Sequence, residues 1–352
     1  MARIAVLGAG VMGSALTFPL SDNGHQVNLI GTHLDDSIIA SCRQCGKHPR
    51  LGDPLPPTVS PFFYSEIAAG LDRAEVILLG VSSRGVRWAG QVLSVHLRKG
   101  QPVIMVAKGL DSNEQGDLRT LCDLLADQLP PTIRNHAPIA AIAGPSIAAE
   151  LAGRRQTCVV FTSREAEVLS DLRSIFATGY YQIWTSTDLV GVEVCAALKN
   201  TYTLAVSLVA GLSEKSGGPD RGPAMHNHAA SLFAQSLVEM GELGRLLGGN
   251  IEAVIGLPGA GDLYVTCQAG RNARMGRLLG MGLTPQAATE QLAGETVEGV
   301  DTVAVVAPVV EKLIARGVLA SNALPLLRQI YAVAIKGKPV NILFQHFFVH
   351  PL

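Results

Sequence analysis

The chain has 352 residues, 48% of them hydrophobic and 16% charged, with 37 glycines. That balance buries large cores and excludes a disordered, collagen-like or coiled-coil chain, and the length exceeds the ~100–200 residues of a typical single domain. Lys+Arg 28 against Asp+Glu 29 leaves a net charge of -1, which supplies no overall field for a nucleic-acid backbone or an anionic membrane. Any anionic ligand has to be met by local charges.

Taken in chain order, Arg3 to Leu7 reads as a strand, Val11 to Asn23 as a helix stopped by Asn23-Gly24, and Gln26 to Ile30 as a second strand. Ser41 to Pro61, rich in proline and basic residues, reads as an irregular excursion at a sheet edge, in a place to cover a ligand. Further strands are expected at Val76 to Val81, Pro102 to Ala107, Ile139 to Ala143, Cys158 to Thr162 and Gln182 to Trp184, with helical period between them. Apolar strands separated by helices imply an α/β fold, a doubly wound parallel sheet covered on both faces. After Trp184 the strands stop. Helical period runs through Asp188 to Gly211, Asn227 to Leu247, Ala273 to Leu279, Pro285 to Leu292, Thr302 to Arg316 and Pro325 to Ile335. The expected organisation is therefore a sheet domain over 1–187 and an all-helical substrate domain over 188–352.

Leu189 to Leu212 approaches membrane-spanning length, but Glu193, Lys199 and Asn200 sit in its middle. Charge in hydrocarbon is costly, so the tract reads as a buried core helix and no membrane insertion is expected. The N-terminus shows no export signal. Of the six cysteines, the one close pair, Cys42 and Cys45, has no second CxxC or histidine partner at zinc spacing. Free thiols in a reducing, cytoplasmic compartment and no metal site are expected. His226 and His228 stand two apart, the wrong spacing for one helical face.

Gly8-Ala9-Gly10-Val11-Met12-Gly13 follows the first strand and opens the first helix. In that context the first glycine permits the tight turn and the second admits a pyrophosphate to the backbone. The third packs helix on strand, with the helix N-terminus facing the phosphates. Gly8, Gly10, Val11, Met12 and Gly13 are thus candidate cofactor contacts in a Rossmann-type domain. The acidic residue that would hold a ribose 2′-hydroxyl is missing where the second strand ends, at Ile30-Gly31-Thr32-His33, and no arginine stands there for a 2′-phosphate. Thr32 and His33 offer hydrogen bonds to either ribose, so NAD and NADP both stay open. Asp35 and Asp36 read as the acidic pair of a helix N-terminus.

Six further motifs follow in order: Ala107-Lys108-Gly109-Leu110, Gly144-Pro145-Ser146-Ile147-Ala148-Ala149-Glu150, Ala197-Leu198-Lys199-Asn200, Gly261-Asp262-Leu263-Tyr264-Val265-Thr266-Cys267, Gly270-Arg271-Asn272 and Val297-Glu298-Gly299. In this order the chain resembles the NAD(P)-dependent glycerol-3-phosphate dehydrogenases. The resemblance implies a Rossmann domain followed by a helical domain, NAD or NADP as cofactor, a small phosphorylated substrate and, as a family expectation, a homodimer. It makes Lys199 the proton acceptor when the alcohol is oxidised and the donor in reverse. It also gives Gly144 and Ser146 to the substrate, and Ala148, Thr296 and Glu298 to the cofactor.

The residue types suit those roles. Lys199 lies in an apolar helix, where desolvation lowers a lysine's pKa towards a working range, and a nearby Asp262 opposes that shift. Asp262 alternatively reads as the N-cap of a helix starting at Leu263. Asn200 and Thr266 offer neutral hydrogen bonds to substrate hydroxyls. Lys108 brings a second positive charge to a strand end, for substrate or cofactor. Arg271 and Asn272 precede a helical stretch and suit a phosphate, with Arg271 also in reach of the cofactor. Arg274 and Arg277 read as a solvated face.

The sequence departs from the family at Val11, Met12 and Ser82, and in the loop Ser213 to Arg221. A dehydrogenase for another phosphorylated polyol, or for a 2-oxo acid as in ketopantoate reductases, is one alternative. A non-catalytic nicotinamide sensor is the other, and the presence of Lys199 speaks against it.

Overall fold

A computed structural model describes residues 1–218, 224–293, 295–342 and 344–347. The chain divides into two compact units, Met1–Lys108 with Thr120–Leu189, and Gly109–Arg119 with Val190–Leu352. The sequence boundary after 187 falls two residues short of that division, and it leaves Gly109–Arg119 with the sheet.

The strands are β1 (Arg3–Leu7), β2 (Gln26–Ile30), β3 (Val59–Phe62), β4 (Val76–Leu79), β5 (Val103–Met105), β6 (Leu110–Ser112), β7 (Leu118–Thr120), β8 (Ile139–Ala143), β9 (Thr157–Ser163) and β10 (Tyr181–Ser186). Eight of them form one sheet in the order β10-β9-β8-β5-β4-β1-β2-β3, and β6 pairs with β7. Alternate residues of β1 feed different cores. Ile4 and Val6 join Leu16, Phe18 and Leu169 on one face, while Ala5 and Leu7 join Val86, Leu93 and Leu125 on the other. Burial on both faces follows from the twofold alternation of a strand.

The all-parallel expectation needs correction. β8 and β9 pair antiparallel, and β10 runs with β9. The link from β8 to β9 carries only the five-residue helix Ala148–Ala152, and the chain turns back beside β8 instead of crossing a face. The first helix is also broken, into Val11–Ala15 and Thr17–Asp22. Pro19 lacks an N–H and its ring crowds the carbonyl one turn earlier. The proline-rich excursion hides the end of the helix Asp36–Cys45, capped by Gly46 at φ 66°, and β3 itself, where Pro61 is tolerated because the strand is an edge.

The second unit is built on the 27-residue helix Leu189–Lys215. Its most apolar window is 89% buried, so this is a core helix. Around it in sequence follow His226–Leu246, Ile251–Ile255, Asp262–Gln268, Arg271–Gly280, Pro285–Gln291, Glu298–Ala315 and Pro325–Ala334. The unit is not all-helical, since it also holds the β6–β7 hairpin, which rests on Glu298–Ala315. Glycines set the closest helix contact. A Cβ on Gly276 would lie 2.4 Å from the Leu204 carbonyl oxygen, and one on Gly280 2.0 Å from that of Leu208. No larger residue allows Arg271–Gly280 to approach so near. Of the departing loop, Pro219, Asp220 and Arg221 lie outside the described residues.

Candidate active site

In the first unit the glycine loop joins β1 to Val11–Ala15, with Gly8 at φ 109°. Gly80, just after β4, packs into it. A Cβ on Gly8 would meet the Gly80 carbonyl carbon at 2.8 Å, and one on Gly13 would meet the Gly8 oxygen at 2.7 Å and Gly80 Cα at 3.0 Å. Gly10 differs, because its Cβ would touch only the Gly80 oxygen, at 3.2 Å. Open space beside Gly10, followed by first-turn amides that have no carbonyl ahead of them, fits a pyrophosphate.

Four other expected residues gather in this unit. Lys108 Nζ donates to the Gly144 carbonyl at 3.4 Å, and Ser146 Oγ lies 3.9 Å from Met12 Sδ. Gly144 has φ 111°, a conformation that favours glycine. Val11, Met12 and Ala148 all pack, half-buried, against the core on that face. His33 is different. Its ring sits edge-on to Tyr64 and Trp88, with centroids 6.2 and 5.8 Å away, in a small aromatic group at the end of β2.

Asp35 and His48 touch the glycine loop at Ala9, which the sequence pattern missed. Asp35 Oδ2 accepts from Ala9 N (3.2 Å), Thr32 N (2.9 Å) and Thr32 Oγ1 (2.8 Å), and makes no side-chain cap of Asp36–Cys45. The Thr32 hydroxyl proton is therefore spent on Asp35. His48 is buried, with Nε2 3.0 Å from the Ala9 carbonyl oxygen. An acid three residues beyond the expected slot, and a lone histidine in a basic stretch, were the only signals in the sequence.

In the second unit Lys199 Nζ donates to Asp262 Oδ1 at 2.9 Å and to Thr266 Oγ1 at 2.8 Å. The two charged side chains are only 8% and 2% exposed, so water screens the pair weakly. Thr266 passes its own proton to the Asp262 carbonyl at 2.6 Å, which leaves its oxygen free to accept from the lysine. Asp262 is the first residue of Asp262–Gln268, after a turn over Leu257–Gly261, and its carboxylate does not cap that helix. The N-cap alternative is thereby set aside. Burial pushes the neighbouring Cys267 thiol up to about 11, which keeps it protonated at neutral pH.

Asn200, one residue on, belongs to a chain of amides. Gly299 N donates to Asn272 Oδ1 (2.9 Å), Asn272 Nδ2 to Asn200 Oδ1 (2.8 Å), and Asn200 Nδ2 to Glu298 Oε2 (2.9 Å). Glu298 opens Glu298–Ala315, and Thr296 lies just before it. Asn272 thus orients Asn200, and its amide is tied on both the donor and the acceptor side inside the unit. Arg271 begins its helix after Gly270 at φ 109° and is exposed. Arg274 and Arg277 pair with Glu295 and Glu214 at 2.9 and 2.6 Å, both more than half exposed. Of the three arginines, Arg271 alone has no ion pair among the described residues.

The helix that carries Lys199 is held by a second buried acid. Glu239 accepts from Tyr202 Oη, Gln235 Nε2, Leu326 N and Leu327 N. Burial pushes it up to about 7 against these four donors.

A glycine-rich strand-to-helix turn in a doubly wound sheet, followed by a helical unit with a buried lysine–carboxylate pair, defines a nicotinamide-dependent dehydrogenase of Rossmann type. Residues 3–169 match the N-terminal family described as NAD-dependent glycerol-3-phosphate dehydrogenase, and residues 188–345 its C-terminal counterpart. The chain belongs to the NAD-dependent glycerol-3-phosphate dehydrogenase family. It is 37% identical to an NADP(+)-dependent glycerol-3-phosphate dehydrogenase of Archaeoglobus fulgidus, over 82% of this chain and 83% of the relative. A glycerol-3-phosphate dehydrogenase [NAD(P)+] of Desulfitobacterium hafniense is 33% identical, over 96% of this chain and 88% of that one. The crystal structure of glycerol-3-phosphate dehydrogenase from Coxiella burnetii has a TM-score of 0.81 at 27% identity and covers 96% of both chains.

Proposed function

We propose that Lys199 is the proton-transferring group through which this NAD(P)-dependent oxidoreductase interconverts sn-glycerol 3-phosphate and dihydroxyacetone phosphate. The observation that carries the assignment is the buried pair, Lys199 Nζ on Asp262 Oδ1 at 2.9 Å, in a chain that matches both halves of the family. The nicotinamide, when bound, exchanges a hydride with the substrate carbon. Everything else falls to the protein. In reduction, the Lys199 ammonium gives a proton to the carbonyl oxygen, and the resulting amine is recharged from solvent. In oxidation the amine takes the hydroxyl proton. Asp262 and Thr266 fix Nζ in place, and the carboxylate offsets the cost of burying an ammonium.

Arg271, exposed at a helix start and without an ion pair among the described residues, is the best anchor for the substrate phosphate, since a guanidinium fork matches a dianion. The glycine loop serves the cofactor pyrophosphate, with Lys108, Gly144, Ser146 and Ala148 lining the same unit. Relatives named for NADP(+) and for NAD(P)+ support both cofactors. We place the protein in the cytoplasm as a homodimer, on family grounds. The alternatives in another polyol or a 2-oxo acid are not favoured by the family match. The test is NAD(P)H oxidation with dihydroxyacetone phosphate. Absence of turnover with this ketone and turnover with another phosphorylated ketone or a 2-oxo acid refutes the substrate assignment.

A further inference from the structure

Two helices of the second unit carry the candidate substrate residues and run from there to a common cavity. Leu189–Lys215 holds Lys199 and Asn200, and its last residue, Lys215, lies about 24 Å further along the helix than Lys199. Arg271–Gly280 begins with Arg271 and Asn272, and its last two residues, Leu279 and Gly280, line the same cavity as Lys215. Glycines bring the two helices into backbone contact. Besides the approaches at Gly276 and Gly280, a Cβ on Gly211 would lie 1.9 Å from the Arg277 carbonyl oxygen.

The cavity measures about 250 Å³. One side of it is apolar, formed by Leu279, Leu283, Val333 and Val340. The polar side is cationic. Lys215 and Lys338 both line it, and neither has a hydrogen bond or ion pair among the described residues. Other cations nearby in sequence are spent, Arg277 on Glu214 at 2.6 Å and Lys336 over the Tyr331 ring at 4.9 Å. The Lys215 side chain lies over Gly282, at φ 96°, where a Cβ would stand 3.0 Å from Nζ. Thr284 Oγ1 accepts from Ala287 N, and its hydroxyl proton has no acceptor among the described residues. No carboxylate lines the cavity among those residues either. Two ammonium groups without a counter-charge, one hydroxyl donor and an apolar wall match an anion that carries an apolar body.

We propose that this cavity is a second anion site, for a phosphomonoester bearing a short apolar group, and that its occupant changes the affinity for the substrate through the two shared helices. Lys215 and Lys338 hold the phosphate, and the apolar side holds the alkyl or aryl group. An occupant that favours one placement of the helix ends is felt at Arg271, and so in KM. The site itself is independent of the proposed reaction; its effect on KM rests on that reading.

The experiment is calorimetric titration of the full chain with n-butyl phosphate, and with inorganic phosphate and n-butanol as its two parts. n-Butyl phosphate is expected to bind at least about tenfold more tightly than either part, because charge and methylene burial act together. Lys215→Met combined with Lys338→Met weakens it at least about tenfold, Lys215→Arg combined with Lys338→Arg retains it, and Arg271→Ala leaves it within about twofold. At saturation n-butyl phosphate shifts the KM for dihydroxyacetone phosphate at least about twofold in the wild type and leaves it unchanged when both lysines are replaced by methionine. Binding that survives loss of both lysines overturns the proposal. So does binding abolished by Arg271→Ala, which puts the phosphate in the substrate site, and so does equal affinity for inorganic phosphate, which removes the apolar wall from recognition. An unchanged KM at saturation overturns the effect on the reaction. Absence of turnover with dihydroxyacetone phosphate strikes the substrate reading instead, and the calorimetry alone then decides the site.

Discussion

In the first unit, what the glycine loop offers a ligand is mostly backbone and empty space: amides after Gly10, and the open side of Gly10 in a turn closed by the packing of Gly8, Gly13 and Gly80. In the second unit, what Lys199 and Asn200 offer is side-chain chemistry, buried and held by Asp262, Thr266, Asn272 and Glu298. A backbone site is damaged by adding atoms. A side-chain site is damaged by removing them, and removal leaves a buried charge without its partner.

The sharpest way to separate the two is Lys199→Ala. Loss of a proton-transfer group is expected to lower kcat by about 10²-fold or more. Cofactor Kd stays near its wild-type value, because the amides and glycines are untouched. The variant also strands the Asp262 carboxylate, so a thermal melt should show destabilisation that the double variant Lys199→Ala with Asp262→Ala partly relieves. Cofactor titration beside steady-state kinetics makes the test, and a near wild-type kcat removes Lys199 from its role.

This contrast also explains what the sequence discloses. The glycine loop, β1, β2 and β8 could be read directly, because they rest on local rules of turn, alternation and helix start. The Lys199–Asp262 pair spans 63 residues, and spacing alone gave no sign of it. Only the order of the motifs, matched to a family, pointed there. Asp35 escaped because its carboxylate folds back to Ala9 from beyond the slot where the pattern seeks an acid. β3 escaped because Pro61 argued against a strand, and an edge strand tolerates it. The reversed β9 depends on how the chain returns after a short helix, a question of tertiary geometry that periodicity does not address.

Arg271→Ala probes the second unit where it meets solvent. Loss of a charge-assisted phosphate contact costs roughly 1.5 to 3 kcal/mol, seen mainly as a higher KM for dihydroxyacetone phosphate. Arg274→Ala and Arg277→Ala break exposed ion pairs and should change KM little. Unphosphorylated dihydroxyacetone is the control, since its kcat/KM has no phosphate contact to lose. Equal losses with both ketones would show Arg271 supporting structure or cofactor.

Within the first unit, two alanines test whether the glycines serve the ligand or the fold. At Gly10 a Cβ meets a single oxygen at 3.2 Å, so Gly10→Ala should leave the melting temperature nearly unchanged and raise cofactor Kd, with Gly10→Val stronger. At Gly13 the same Cβ meets backbone at 2.7 and 3.0 Å, so Gly13→Ala should destabilise the unit by about 1–3 kcal/mol, as overpacking does. If the two variants swap behaviour, the open side of Gly10 is not where the pyrophosphate lies.

The smallest expected effect is a slope with pH, and the two units differ in its sign. Burial holds His48 below the ordinary histidine value, so its contribution is whole above about pH 6.5 and is lost as pH falls below that. Glu239 is the reverse. Burial raises its carboxyl to about 7 in the fold, above the ordinary glutamate value of 4.5, so the folded state holds a proton that the unfolded chain has released. Stability from Glu239 is therefore whole below about pH 4.5 and lost as pH rises through about 7, with roughly 1 kcal/mol of that loss between about pH 6 and pH 8. Urea midpoints across this window, wild type against Glu239→Gln, isolate the group, because His48 is common to both. The amide shifts the whole curve by disturbing the four donors, but it cannot titrate, so the difference between the curves should carry the Glu239 slope. A difference that stays flat with pH would mean that Glu239 is already ionised, held so by Leu326, Leu327, Gln235 and Tyr202.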